Sequence, residues 1–377
     1  IKVQVNNKIW FEQNINTWTF SESRYFYQHI NYASLVNSRQ RYNKLYVDDG
    51  NKLDFYGPVI DEGRIEFKEG ELYNVLITME DSYGNKSKLK LLLKGTRPPE
   101  VVNRASNPEI GYEILEQYLK ITTEQESASA SGHLYVDGKK NELSPIYLID
   151  STRAVYLWSL NTSLPDSLVL SDTTFNFNLT SRVPVNNEYK LYTEYADIVF
   201  KKRSLFDTLF VSLEHKIDTS SHLELLTIGE PTTPLKSSIK VIMKPSQQRD
   251  TTLNYQVYQW YGGNNYGFVG GKWNDDRITF NTRNLGTYTL VADSLKPKVK
   301  PLVLNKDRIV FRVADDLSGI AKYDAYLNGE WLLMCYDPKK RWLWAEKENN
   351  EQELIGDLVL KVTDNAGNLT EYDTKIN

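Results

Sequence analysis

A β-hairpin pattern occurs twice in this chain, once near each end. Residues 77–87 and 360–370 each contain an alternating apolar strand, the turn Asp-x-x-Gly-Asn, and a hydroxyl residue two positions after the Asn. In such a turn the Asp side chain accepts hydrogen bonds from the backbone that follows, Gly adopts a positive φ, and Asn tolerates the left-handed region. This pattern is typical of the last hairpin of a small β-sandwich, so the sequence predicts a series of such modules.

The length of the chain fits four modules. A sandwich module needs about 80–100 residues, and the chain has 377. Its 40% hydrophobic and 25% charged residues are ordinary for a protein with real cores, which argues against disorder. We expect an all-β chain of tandem antiparallel β-sandwiches, immunoglobulin-like at both ends, with modules at residues 1–96, 97–192, 193–294 and 295–377.

Local signals predict turns and one helical segment. The dipeptides Asp137-Gly138 and Asn328-Gly329 are each flanked by strand-like residues, which is the pattern of two-residue hairpin turns. Residues 30–40 have a helical pattern and predict a short helical insertion in the first module.

Proline marks two of the three module boundaries. The segments 96–99 and 294–301 are proline-rich and predict stiff, extended linkers that hold neighbouring modules apart. The middle boundary, near residues 189–195, has no such linker, and its position is the least defined.

The charge, hydropathy and cysteine content of the chain argue against several classes of protein. The net charge of -4 combines 45 basic with 49 acidic residues and no basic stripe, so nucleic acid is not an expected partner. No run approaches the roughly 18 apolar residues of a membrane span.

The chain begins within a strand pattern without Met, so we expect a segment upstream. Cys335, the single cysteine, excludes an intrachain disulfide and lies in an apolar run, so we expect it in a core.

Five segments, taken in their order, resemble a known family. They are the first repeated hairpin and four further motifs at residues 204–209, 267–273, 284–290 and 315–320, the last together with residues 363–368. This succession resembles the C-terminal immunoglobulin-like region of bacterial periplasmic lysostaphin-type zinc metallopeptidases. The resemblance implies a periplasmic location, attachment to the outer membrane through an upstream segment, and a zinc-dependent peptidase domain upstream of these residues.

The zinc ligands of that family are incomplete in this chain. The family uses His-x-x-x-Asp and His-x-His, which leave one zinc position open for water. His133 and Asp137 match the first spacing, but Asp137 is better explained by its hairpin turn, and His-x-His is absent. His215 and His222 lie seven residues apart, but no third zinc ligand accompanies them, so we interpret them as surface histidines. We therefore expect no catalytic residues, no cofactor and no zinc in this segment.

Two groups remain candidates for binding. Asp315 and Asp316 end one strand pattern and Asp364 ends another, so they could meet at a calcium site, although calcium needs about six oxygen ligands and turn capping explains them too. The aromatic residues between 260 and 273 could stack on sugar rings, although packing within the sheet is the simpler explanation. The candidate ligand-binding residues are Trp260, Tyr261, Tyr266 and Trp273.

The motifs of common enzyme classes are missing. There is no Gly-x-Ser-x-Gly elbow, no Cys-x-x-Cys and no phosphate-binding loop. The sequence favours a non-catalytic scaffold that docks envelope proteins, because sandwich arrays offer long edges and the 25 tyrosines suit contact surfaces. A peptidoglycan-binding module is the first alternative. Accessory domains of an active cell-wall metalloendopeptidase are the second.

Overall fold

The structure is a computed structural model that describes residues 1–17, 19–96, 110–115, 117–124, 131–170, 173–250, 252–347 and 353–377. The described residues form antiparallel sheets arranged as successive modules, as predicted. None of the helices in these ranges is long and apolar enough to span a bilayer. The first proline segment lies outside the described residues from position 97 onward.

The described residues of the first module form one five-stranded sheet with no second sheet, so the predicted immunoglobulin-like sandwich is not found there. Its strands are β1 (Lys2–Val5), β2 (Lys8–Gln13), β3 (Tyr56–Val59), β4 (Leu72–Glu80) and β5 (Lys86–Lys94), in the order β3-β2-β1-β4-β5. Its core comprises Val3, Val5, Phe11, Tyr73 and Val75.

The helical insertion lies between β2 and β3. It contains a 3-10 turn (Phe20–Glu22), α1 (Phe26–His29) and α2 (Tyr32–Ser38). A second 3-10 turn, Asp61–Gly63, follows β3. The Asn31 side chain caps α2 by accepting a 3.0 Å hydrogen bond from the Ser34 amide. The helix ends at Arg39, which adopts a left-handed conformation with φ of 60°. The predicted helical segment is therefore confirmed.

The second module is a sandwich of two four-stranded sheets, ordered β10-β11-β7-β6 and β13-β12-β8-β9. Its strands are β6 (Gly111–Leu115), β7 (Tyr118–Glu124), β8 (Gly132–Val136), β9 (Lys139–Leu143), β10 (Tyr147–Leu148), β11 (Arg153–Ser159), β12 (Ser167–Leu170) and β13 (Thr173–Asn176). Fully buried Leu119, Ile121, Leu134 and Leu168 fill the space between the sheets.

The third module has a six-stranded sheet, β14-β17-β18-β24-β20-β21, and a five-stranded sheet, β15-β16-β19-β23-β22. Its strands are β14 (Leu179–Val183), β15 (Tyr189–Tyr192), β16 (Ala196–Phe200), β17 (Leu209–Ile217), β18 (Glu224–Ile228), β19 (Ile239–Met243), β20 (Tyr255–Trp260), β21 (Tyr266–Phe268), β22 (Lys272–Asn274), β23 (Arg277–Thr282) and β24 (Gly286–Ala292).

The boundary before the third module lies earlier than predicted. β14 pairs with β17 and β15 pairs with β16, so residues 179–192 belong to the third module and not to the second. The alternating pattern of these short strands is the same in either module, and only their long-range partners assign them.

The fourth module has two four-stranded sheets, β25-β26-β30-β29 and β28-β27-β31-β32. Its strands are β25 (Lys298–Leu304), β26 (Arg308–Ala314), β27 (Ile320–Leu327), β28 (Glu330–Leu332), β29 (Cys335–Asp337), β30 (Trp342–Glu346), β31 (Gly356–Asp364) and β32 (Leu369–Ile376). The second proline segment runs into β25 and does not hold the modules apart. The third and fourth modules touch, for example through a 2.6 Å hydrogen bond from Asn254 Nδ2 to the Ala366 carbonyl.

The two repeated hairpins have the same turn chemistry. Asp81 Oδ1 accepts 2.9 Å hydrogen bonds from the amides of Tyr83 and Asn85, while Gly84 has φ of 84°. In the second copy, Asp364 accepts bonds from the backbone and side chain of Asn368. The predicted Asp-Gly and Asn-Gly turns also have positive φ at both central residues, as a two-residue hairpin of this type requires.

His29 gives the first module a pH-dependent stability. Its side chain is buried against Phe55 and Tyr56, and the Tyr56 hydroxyl lies 2.9 Å from Nδ1. Burial, and secondarily the charge of Lys44, lower the pKa of His29 to about 4. Because unfolded histidine takes up a proton near pH 6.5 and the folded one does not, stability falls as the pH drops below that value.

We expect the first module to lose about 2 kcal/mol of stability between pH 7 and pH 5 through His29. Hydrogen exchange followed by mass spectrometry would detect this as lower protection factors in β1 and β2, after correction for the intrinsic pH dependence of amide exchange. In a His29→Asn variant, which retains an acceptor near the Tyr56 hydroxyl, the pH dependence should be largely lost. Equal pH dependence in both proteins would contradict the assignment.

Candidate functional site

Strand β5 forms an open edge of the first module. It is the last strand of its sheet, and no strand in the described part of the chain pairs with its outer side. Three leucines on β5 are exposed, Leu89 at 53%, Leu91 at 38% and Leu92 at 65%. An edge with unpaired backbone groups and apolar side chains is a template for adding another strand.

The exposed leucines lie on both faces of the sheet. Leu89 and Leu91 pair in register with Ile77 and Val75, so they continue the core face of β4, whereas Leu92 points to the opposite side. Exposed Met79 extends the same core face toward the hairpin turn. The edge also carries four lysines, Lys86, Lys88, Lys90 and Lys94. This combination offers apolar contacts and positive charge to an extended, acidic segment.

The helical insertion holds the first module against the third. Arg24 Nη2 donates a 2.8 Å hydrogen bond to the Leu235 carbonyl, and the rings of Tyr25 and Phe206 meet edge to face at 5.5 Å. Lys236 lies over the Tyr25 ring at 5.0 Å. A cleft of about 700 Å³ lies between the insertion, the start of the second module and the loop before β17. The insertion therefore connects the first module to the third.

The predicted aromatic surface is divided between two sheets. Trp260 and Tyr266 are register partners on the hairpin β20–β21, and Tyr261 at its tip is 57% exposed. Trp273 lies on β22 in the opposite sheet, where it packs against the core and donates a 2.7 Å hydrogen bond to the Tyr255 carbonyl. Arg249 covers the Trp273 ring at 5.0 Å. The four side chains therefore do not form one face, and Trp273 is removed from the candidate surface.

Other aromatic residues on the outer side of this sheet are buried beside the fourth module. Val257 belongs to the sandwich core, so the next residue, Tyr258, points to the outer side of the sheet. Tyr258 is fully buried there and meets Tyr266 and Phe268 edge to face. Only the hairpin tip is left as a candidate contact for sugar.

The predicted surface histidine at position 215 is in fact part of a buried network. The ring of His215 stacks on Tyr195 at 3.7 Å, and Nε2 lies 2.9 Å from Glu224 Oε1. Glu224 also accepts bonds from the amides of Ser246 and Gln247. His222 is exposed and takes no part in the network. Because these bonds use the histidine and carboxylate within the fold, the network is structural.

The acidic residues of the predicted calcium site are only partly brought together. Asp315 and Asp364 converge, but their third partner is Asp293 of the third module, with one oxygen of each residue within 4.8 Å of the others. Asp316 is exposed and forms a 2.5 Å ion pair with Lys298. Sequence reasoning missed Asp293. The signal that could have identified it is its position directly after β24, where the chain leaves the third module.

Cys335 is exposed, contrary to the prediction of a core position. It begins the edge strand β29, and the preceding residue, Met334, is the one that enters the core. A continuous apolar run does not show which residues point inward when only one face of its strand is covered.

Comparison with known proteins gives one family match. A Zu5-like domain matches residues 180–293, which spans nearly the whole of the third module from β14 to β24. No curated protein matches the chain. Among solved structures, one described as "Ca2+-stabilized adhesin helps an Antarctic bacterium reach out and bind ice" is 9% identical, covers 80% of each chain and has a TM-score of 0.15. That TM-score is too low to bear on the function of this chain, whereas the Zu5-like match independently supports the revised start of the third module.

Proposed function

We propose that this chain is a non-catalytic docking region of a cell-envelope protein, and that the β5 edge binds an extended segment of a partner protein. The exposed leucines on an unpaired edge strand carry the proposal. A peptide that adds to such an edge gains backbone hydrogen bonds, and its alternate side chains contact the two faces. The lysines of β5 favour a partner segment with Asp or Glu between its apolar residues.

The wider assignment depends on the resemblance to lysostaphin-type peptidases. Under it, the region acts in the periplasm of a protein attached to the outer membrane, and any zinc site belongs to an upstream domain. The order of the five sequence segments supports this relation. A His-x-His pair in the remaining sequence of the parent protein would support the relation further, and a parent protein without a peptidase-like domain would contradict it.

A displayed peptide library tests the docking edge. We expect selection on the purified chain to enrich extended acidic-apolar peptides, and the double variant Leu89→Asp, Leu92→Asp to weaken their binding at least about tenfold, or 1.4 kcal/mol. The matched control is Leu302→Asp with Val303→Asp, which alters two exposed residues on the edge strand β25 of the fourth module. Isothermal titration calorimetry measures the affinity, and thermal unfolding checks that both variants fold.

Two outcomes would contradict docking at β5. One is the absence of any enriched peptide, and the other is equal weakening by both double variants.

The hairpin tip supports a second candidate function, glycan binding, because exposed Tyr261 lies beside exposed Asn264 and Asn265. Sedimentation with purified peptidoglycan that is lost in Tyr261→Ala, and retained in the β5 variant, would favour that second function.

A further inference from the structure

Three carboxylates meet at the joint between the third and fourth modules. Asp293 follows β24, Asp315 follows β26 and Asp364 ends β31. One oxygen from each lies within 4.8 Å of the others, and Asp293 and Asp364 are 5% and 2% exposed. Carboxylates this close repel one another strongly when they are out of water. A cation bound between them would offset this repulsion.

The described residues supply only neutral donors to this cluster. The amides of Leu295 and Ser318 donate to Asp293, those of Leu317 and Gly319 donate to Asp315, and Asn368 donates to Asp364. Within the described ranges no Lys, Arg or His forms an ion pair with any of the three carboxylates, and the nearby Lys298 pairs with Asp316.

Two polar atoms at the cluster have no partner. Asp315 Oδ1 is shielded from solvent and receives no hydrogen bond. The hydroxyl of Tyr258, on a fully buried side chain, also has no hydrogen-bond partner of normal geometry, and its polar neighbours are Ser318 and the three carboxylates. Unpartnered buried polar atoms are uncommon in native proteins, and an ion or a water bound between these two atoms would satisfy both.

We propose that Asp293, Asp315 and Asp364 bind one Ca²⁺ ion that joins the third and fourth modules. The cluster offers oxygen and no nitrogen or sulfur, which favours a hard cation over zinc. One oxygen of each carboxylate converges on the site, and waters, one of them held by the Tyr258 hydroxyl, would complete the coordination. Mg²⁺ fits less well, because it retains several waters and requires a stricter octahedral geometry.

The ion would strengthen a joint that is otherwise held by a few polar contacts. Asn368 Nδ2 donates to the Asp293 carbonyl at 3.0 Å, and Asn254 Nδ2 donates to the Ala366 carbonyl at 2.6 Å. A bound cation links carboxylates from both modules directly. The relative orientation of the two modules would then depend on the calcium concentration.

Calcium titration of the whole chain, after removal of metal with EDTA, tests the site. We expect one bound Ca²⁺ with a dissociation constant of roughly 10⁻⁵–10⁻³ M, and an upward shift of an unfolding transition by on the order of 5–10 °C at about a hundred times that concentration. Mg²⁺ at the same concentration should give a clearly smaller shift. No calcium binding, or equal shifts with both ions, would overturn the assignment.

Conservative variants separate binding from folding. Asp315→Asn places an amide where Oδ1 now lacks a partner, so in EDTA the variant should be at least as stable as the wild type, yet its calcium affinity should fall at least about tenfold. Asp316→Asn is the matched control, since Asp316 is the exposed neighbour outside the cluster, and it should bind calcium normally. Normal binding by Asp315→Asn, or an equal loss in the control, would disprove the site.

Discussion

Replacing Glu224 with alanine should destabilise the third module by about 2–4 kcal/mol, because it removes a buried acceptor that several donors share and leaves Arg249 without its partner. Glu224 is 5% exposed, and its oxygens accept hydrogen bonds from the Ser246 amide at 2.6 Å, the Ser246 hydroxyl at 3.0 Å and the Gln247 amide at 3.3 Å. His215 and Arg249 complete the set. Calorimetric or urea unfolding measures the loss.

The matched control for this prediction is Glu214→Ala. Glu214 lies on the neighbouring strand β17 in an exposed pair with Lys216, so its removal should change stability by less than about 1 kcal/mol. Glu224→Gln, which retains acceptor and donor groups, should fall between the two. A similar loss for Glu214→Ala and Glu224→Ala would show that the buried network contributes no special stability.

The same network predicts a loss of stability in acid. Burial raises the pKa of Glu224, but the hydrogen bonds from Ser246, His215 and Gln247 outweigh burial and lower the pKa overall. A carboxylate with a lowered folded pKa stabilises the fold above its unfolded pKa, and this contribution disappears as the pH falls through the folded pKa. Glu224→Gln should therefore lessen the acid sensitivity of the third module.

Replacing Phe210 with alanine should cost about 3–5 kcal/mol and should affect two modules at once. Phe210 lies on β17 of the third module, yet its side chain, 4% exposed, belongs to the core cluster of the second module together with Phe177. Removing the ring leaves a cavity at the junction. Hydrogen exchange followed by mass spectrometry should show faster exchange in second-module strands such as β7 and β11.

A second substitution on the same strand provides the control for Phe210. Ile217 also lies on β17 but is 47% exposed, so Ile217→Ala should change exchange in the second module very little. Unchanged exchange in β7 and β11 of the Phe210→Ala variant would mean that the two modules unfold independently.

The sequence by itself determined the local structure of this protein. The Asp-x-x-Gly-Asn turns, the Asp137-Gly138 and Asn328-Gly329 hairpins and the all-β fold class follow from residues close together in the chain, because positive φ, side-chain capping and strand alternation are local properties. The short helical insertion was predictable for the same reason.

Only the tertiary structure decided which distant residues meet. Asp293 replaces Asp316 in the acidic cluster, Glu224 is the partner of His215, and Trp273 lies in a different sheet from Trp260. Each of these outcomes depends on strand order and on packing between modules, which alternation cannot encode because it gives the same pattern for every pairing of strands. Local patterns therefore specify the modules, whereas the contacts between strands and modules create the open β5 edge and the acidic cluster between the third and fourth modules.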